Sequence, residues 1–145
     1  MAAPDHLNVT QWPIEKVGQL RSGNRTGLTI DQEYHQREVL GQHSSDDHEH
    51  AKEYGYPDAH AYQASLVSSV AQHGIQNPGV WEPGEARLGE NPNDKVLANG
   101  YHRYAAARAL GHTTMPMIKG DWKAEYKDRT ENPDKYKVPG WNGST

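Results

Sequence analysis

Val96-Leu97-Ala98-Asn99-Gly100-Tyr101-His102-Arg103, continued by Tyr104-Ala105-Ala106-Ala107-Arg108-Ala109-Leu110-Gly111, decides the architecture of this chain. Lys95 to Ala98 is a short run of strand type that breaks at Asn99-Gly100. Tyr101 to Leu110 follows as an alanine-rich helix of high propensity, closed by Gly111. The first turn of such a helix carries N–H groups with no internal partner, and the aligned peptide dipoles add partial positive charge there. Glycine lets an anion approach that backbone closely. Arg103 in the first turn offers a fork of donors, and His102 offers a donor whose charge depends on pH. Asn99, Gly100, Tyr101, His102 and Arg103 are therefore the candidate phosphate cradle. The same residues also suit an ordinary strand-to-helix turn that carries a surface arginine.

Downstream, Thr113-Thr114-Met115-Pro116-Met117-Ile118 reads as a final strand. Pro116 places it at a sheet edge or begins its paired part there. Upstream, Gly79-Val80-Trp81-Glu82 reads as a strand, Pro83-Gly84 as a turn and Gly89 to Asp94 as a polar loop. Asp58 to His73 reads as a helix: Ala59, Tyr62, Leu66 and Val70 share one face, and Asp58 is placed to cap it. Gly74 ends that helix with a left-handed cap and Ile75 as its hydrophobic contact, and Pro78 stops any continuation. Trp12 to Val17 alternates apolar and polar and reads as an opening strand. Between it and Asp58 lies a polar insert, residues 18–56. It starts as a loop from Gly18 to Gly27. A helix with capping-box spacing at Thr29 then runs to about Gln42, and Ser44 to Gly55 is an acidic, His-rich surface helix or mobile loop. The insert is expected to hold few core residues. The expected fold is one α+β domain over residues 1–145: a small mixed sheet with flanking helices, the polar insert, and an irregular tail at 119–145.

Composition limits the partners. Mean hydropathy is -1.00 and the formal net charge is -4. From Asp31 to Asp58 there are eight acids against two bases; from Lys119 to the end, five acids against six bases. Proteins that grip nucleic acid mainly through phosphates are usually basic, so DNA binding is expected to be weak and non-specific. No run approaches the ~20 apolar residues of a membrane span, and no membrane partner is expected. There are no cysteines, which excludes thiol chemistry and thiolate metal sites. A cytoplasmic setting is the expectation.

Asn99 to Gly111, followed by Thr114-Met115-Pro116-Met117-Ile118, resembles the signature of the ParB/sulfiredoxin superfamily. ParB proteins have a glycine, an acid, two arginines, an alanine-rich helix and then a Val-Pro-Val-like strand; sulfiredoxins read Gly-Gly-Cys-His-Arg-Tyr-Ala-Ala. Trp12–Val17 is similar to the family's opening strand. Leu66 to Pro78 is similar to its helix, Gly-Ile and proline segment. The resemblance covers about half the chain, Trp12–Val17 and Tyr62–Ile118, in the right order. It implies the superfamily's fold, with Gly100, His102 and Arg103 on the triphosphate of ATP or CTP. It also implies that Gly74, Gln76 and Pro78 lie near the base or sugar. Tyr101 stands where sulfiredoxins carry their catalytic cysteine, so reduction of sulfinic acids is excluded. The Glu-Asn-x-x-Arg motif of chromosome-partitioning ParB proteins has only Glu131-Asn132-Pro133 as a counterpart here. No helix-turn-helix reader follows within this sequence.

Two other clusters complete the candidates. Asp46, Asp47 and Glu49, among His48, His50 and His60, read either as a solvated polar insert or as carboxylates that swing over a nucleotide and hold Mg²⁺. Trp122, Tyr126, Tyr136 and Trp141 alternate with lysines and Arg129, which suits base stacking. Equally frequent acids favour a tail that packs its aromatics on the domain. The leading function is that of a nucleotide-binding ParB-like protein, with slow NTPase or nuclease activity in DNA-related processes and, by resemblance, a phage or plasmid origin. The alternatives are an inactive binding protein that inhibits or recruits a host partner, and a small-molecule ATP-dependent kinase.

Overall fold

Three apolar surfaces need a common interior: the strand carrying Val96 and Leu97, the alanine face of the helix after Gly100, and the Met115/Met117 strand. A computed structural model describes residues 9–23, 27–85 and 89–120, together with Glu131. The elements run β1 (Thr10–Pro13), α1 (Ile14–Gly18), β2 (Arg21–Ser22), α2 (Ile30–Tyr34) with a π-helical turn (His35–Val39), and α3 (Ser45–Glu53). There follow α4 (Ala59–His73), β3 (Gly79–Pro83), β4 (Lys95–Asn99), α5 (Tyr101–Ala109) and β5 (Thr114–Lys119). The five strands form one mixed sheet in the order β1-β5-β3-β4-β2. β1 is antiparallel to β5 and β3 to β4, whereas β5/β3 and β4/β2 are parallel. The α+β class and the mixed sheet with flanking helices match the sequence expectation.

The register puts Trp12 opposite Met115, Gly79 opposite Met117 and Trp81 opposite Leu97. That face meets Val17 of α1, Ile30 of α2, and Tyr104 and Ala107 of α5 in the main core. Val80 and Ile118, paired across β3 and β5, form a small cluster on the other face. Ala105, Ala106 and Ala107 are all buried, so α5 lies close against its neighbours where larger side chains would not fit.

Several local expectations are corrected. Trp12–Val17 is not one strand: β1 ends at Pro13 and the chain turns into α1. Ile14 and Val17 both enter the core, and their spacing of three is that of a helix face. The insert at 18–56 carries few core residues, as expected, but they pack centrally. Leu20 and Ile30 belong to the main core, Arg21–Ser22 extends the sheet beside β4, and Tyr34 stacks edge-on to Tyr104 with ring centroids 6.0 Å apart. Thr29 forms its expected capping box with Gln32, and Ser44 forms a second with Asp47, so Ser45–Glu53 is a capped helix. Asp58 caps α4 through the N–H of Ala61. Gly74 has φ +73° but an extended ψ of -175°, which turns the chain out of α4 rather than completing a left-handed cap. β5 is an interior strand, and its parallel pairing with β3 begins at Met117, directly after Pro116. The aromatic tail lies outside the described residues.

Candidate functional site

Gly100 has φ +119° and ψ 11°, a conformation that other residues rarely adopt. A Cβ there would also stand 3.0 Å from the Cα of Gly79. The glycine is thus required twice, by its own backbone and by the neighbouring strand. It brings no side-chain cap to α5, whose first turn opens on a cavity of about 260 Å³. Asn99, Gly100, Tyr101 and His102 line that cavity, with Leu97 and Ala98 of β4, Ser22 and Gly23 of the β2 segment, Ile30 and Glu33 of α2, and His50 of α3. Four of the five residues of the expected cradle therefore meet at one opening. The insert supplies Ser22, Gly23, Ile30, Glu33 and His50 to its wall.

Arg103 departs from the expectation of a surface side chain. It is only 5% exposed. Its Nη1 donates to the backbone carbonyls of Asn77 (3.0 Å) and Pro78 (2.9 Å), and its Nη2 donates to Oδ1 of Asn99 (2.9 Å). The guanidinium therefore ties α5 to the turn before β3. A buried cation needs a full set of acceptors, and a turn with inward carbonyls supplies them. Gly74, Gln76 and Pro78 are absent from the cavity wall. Pro78 instead belongs to the anchorage of Arg103, and Gly74 and Gln76 are exposed at the far end of α4.

His102 also differs from its expected role. Burial pushes its pKa down to about 4, neighbouring Arg37, His50 and Arg103 push the same way, and Asp47 opposes them. The ring is therefore neutral at physiological pH. His50 stacks parallel to it at 6.4 Å, and Tyr62 meets it edge-on at 5.1 Å. Burial, followed by the charge of Glu38, pushes the phenol of Tyr101 well above the usual tyrosine range. Its hydroxyl donates to Oε1 of Glu38 at 3.3 Å, and Arg37 lies over its ring at 4.6 Å.

Two carboxylates of the acidic insert, Asp47 and Glu49, have partners within the chain. Asp47 Oδ2 accepts the N–H of Ser44 (3.1 Å), and its Oδ1 lies 3.5 Å from Arg37. Exposed Glu49 faces Lys52 at 3.4 Å. Asp47 thus caps α3 and pairs with Arg37, and Glu49 pairs within α3; among the described residues no three His, Asp or Glu side chains gather as a metal-binding group. His43, His48 and His60 do cluster, with ring centroids 4.4 to 6.2 Å apart. His48 Nδ1 accepts the N–H of Ala59, which joins α3 to the start of α4. The pKa of His43 is lowered by burial and by His60.

Sequence reasoning missed Glu33. It is 2% exposed yet lines the cavity beside the first turn of α5. The available signal was the capping box at Thr29, which fixes the phase of α2 and turns Ile30 and Glu33, three apart, to the same interior side.

No protein-family model matches the chain, and no curated protein matches it. Among solved structures, a crystal structure of sulfiredoxin from Arabidopsis thaliana aligns with 82% of this chain and 93% of its own, at 16% identity and a TM-score of 0.37. At that score the match assigns neither family nor activity. Among the described residues no helix is long and apolar enough to cross a membrane.

Proposed function

We propose that this protein binds a nucleotide, ATP or CTP, with its phosphates at the first turn of α5. One observation carries the reading: the strand–glycine–helix turn at Asn99–His102 opens into a cavity instead of being packed shut. Backbone N–H groups at a helix start, approached through a glycine, favour an anion without any cationic side chain. The resemblance of Asn99–Gly111 to the ParB/sulfiredoxin signature supports the same ligand class. In this reading Arg103 builds the turn, and the backbone makes the phosphate contacts. Mg²⁺ that accompanies a triphosphate would be held by Glu33, the carboxylate already in the cavity, together with phosphate oxygens and water. The experiment is a thermal-shift series with ATP, CTP, GTP and ADP, with and without Mg²⁺. A ligand bound only by the folded chain raises Tm by mass action. No shift with any of the four at millimolar concentration refutes the proposal.

Glu33 also favours a second reading. A buried carboxylate beside a triphosphate would take the proton of an attacking hydroxyl, as a small-molecule kinase requires. Glu33→Gln would then abolish phosphate transfer to a hydroxyl compound while nucleotide binding persists. Binding with no transfer in the wild type would leave the first reading alone.

A further inference from the structure

Gln63 of α4 is 6% exposed and reaches across to α5 with both ends of its amide. Its Nε2 donates to the backbone carbonyl of His102 at 3.1 Å, and its Oε1 faces His102 Nδ1 at 2.9 Å. Amide orientation is ordinarily ambiguous, but here the peptide carbonyl decides it. A flipped amide would set two oxygen acceptors against each other at that first contact. With Oε1 toward the ring, Nδ1 must carry the proton. A neutral imidazole has only one, so Nε2 is left as a bare acceptor. It has no partner among the described residues. Gln63 is not part of the cavity wall, whereas His102 is. Nδ1 is thus taken up by a residue outside the wall, and Nε2 is the ring nitrogen left for a ligand.

The groups around the ring keep it in that state. Arg37 of the π-helical turn, His50 of α3 and Arg103 of α5 disfavour a further positive charge. Asp47 of α3 favours it, and Arg37 lies 3.5 Å from that carboxylate. Tyr62 of α4 and Tyr101 of α5 meet the ring as neutral aromatics.

Phosphate oxygens are acceptors and cannot bond to a bare nitrogen lone pair. A hydroxyl can. We infer that His102 is the acceptor for a hydroxyl of the ligand, that Gln63 is the residue positioning it, and that the cavity selects a hydroxyl-bearing phosphate ester over bare polyphosphate. The ribose of a nucleotide meets that requirement. The inference rests on the nucleotide reading for its ligand, but not for the proton on Nδ1.

The test has separate arms, all on the full chain. Histidine ¹⁵N spectra without ligand should show His102 as the Nδ1–H form at pH 7, with no protonation down to pH 5. An Nε2–H form, or an imidazolium at pH 6, overturns the inference whatever the protein binds. Titration calorimetry then compares ATP, 2′-deoxy-ATP, 3′-deoxy-ATP and inorganic triphosphate. One of the deoxy compounds, and triphosphate, should bind about tenfold more weakly than ATP, the scale of one hydrogen bond. Equal affinity for ATP and both deoxy forms overturns the hydroxyl contact and leaves phosphate binding standing. Gln63→Glu supplies a carboxylate for the same Nδ1–H and favours the imidazolium, so Nε2 becomes a donor. Triphosphate should then bind this variant more tightly than wild type, with affinity falling as pH rises from 6 to 8, where wild type stays flat. Gln63→Met, which keeps volume without the amide, should erase the preference for ATP over its deoxy form. A preference that survives in Gln63→Met refutes the positioning role. No binding of any probe to wild type refutes the nucleotide reading and this ligand with it, and the spectra still decide the proton.

Discussion

Arg103→Ala should cost the fold about 3–5 kcal/mol. The substitution removes a guanidinium that is 5% exposed and makes three bonds of 2.9–3.0 Å. Two of its acceptors are main-chain carbonyls, those of Asn77 and Pro78, and Asn77 is itself buried. Hydrogen bonds from a charged group contribute roughly 1.5–3 kcal/mol each, and a buried acceptor that loses its donor costs about 1–3 kcal/mol. These figures overlap rather than add, because water enters the vacated space and satisfies part of the loss. Breaking a buried charged network by removing one partner costs about 3–5 kcal/mol, which sets the range. For a chain of this length that is a drop in Tm of roughly 10–15 °C. Urea denaturation followed by circular dichroism measures it, with an unchanged m-value as the sign that the unfolded state is not the cause. A loss below about 1 kcal/mol would mean that Arg103 is a surface ligand-binding arginine after all, and the assignment of its bonds would be wrong. Arg103→Lys separates charge from geometry. A lysine cannot span three acceptors with a planar fork, so it should recover less than half of the loss.

Three further predictions follow. Stability should fall by about 3 kcal/mol as pH drops from 7 to 4 through His102 alone: the unfolded imidazole takes its proton near pH 6.5 and the folded one only near 4, so the unfolded chain binds more protons throughout that window. Denaturation curves at each pH for wild type and His102→Gln should show the difference, and identical pH slopes would refute it. Gly100→Ala should destabilise by at least about 2 kcal/mol, because φ is +119° and the new Cβ would press on the Cα of Gly79; a thermal melt within 2 °C of wild type would contradict this. Asp47→Ala should cost about 1 kcal/mol by removing the capping box of α3 and should weaken hydrogen-exchange protection of Ser45–Glu53. It should leave any Mg²⁺ dependence of nucleotide binding unchanged, and a lost Mg²⁺ response would return the carboxylates of α3 to the site.

The order of elements was legible because its signals are local. Asp58, Gly74 and Pro78 bracket α4, and Asn99-Gly100 marks where β4 becomes α5. What failed was long-range. Trp12-Pro13-Ile14-Glu15-Lys16-Val17 satisfies a period of two nearly as well as a period of three over six residues, and only contact with α5 and the sheet chooses the helix. The insert is polar on average and leaves Val39, Leu40 and Tyr54 exposed, but Leu20 and Ile30, with Tyr34 beside them, point inward. An average over the segment hides three residues that matter, and with them the position of Glu33.

Residue type alone also did not show where the side chains of the cradle go. Arginine and histidine in the first turn of a helix suggest two cations aimed at a phosphate. The pitch of α5 sends residue 103 inward, where the carbonyls of Asn77 and Pro78 meet it, and holds residue 102 against Gln63. Neither partner lies near its arginine or histidine in the sequence, so no local pattern foretells them. On the proposed reading the cavity would hold an anion with little mobile positive charge: the first turn of α5 opens on it, the ring of His102 is neutral and Glu33 is also in the wall. An anion bound by backbone dipoles gains less from long-range attraction than one bound by lysines, and loses less when salt is added. Such a site discriminates by shape and hydrogen-bond pattern more than by charge. This agrees with a chain whose net charge is -4 and which therefore has no general attraction for polyanions.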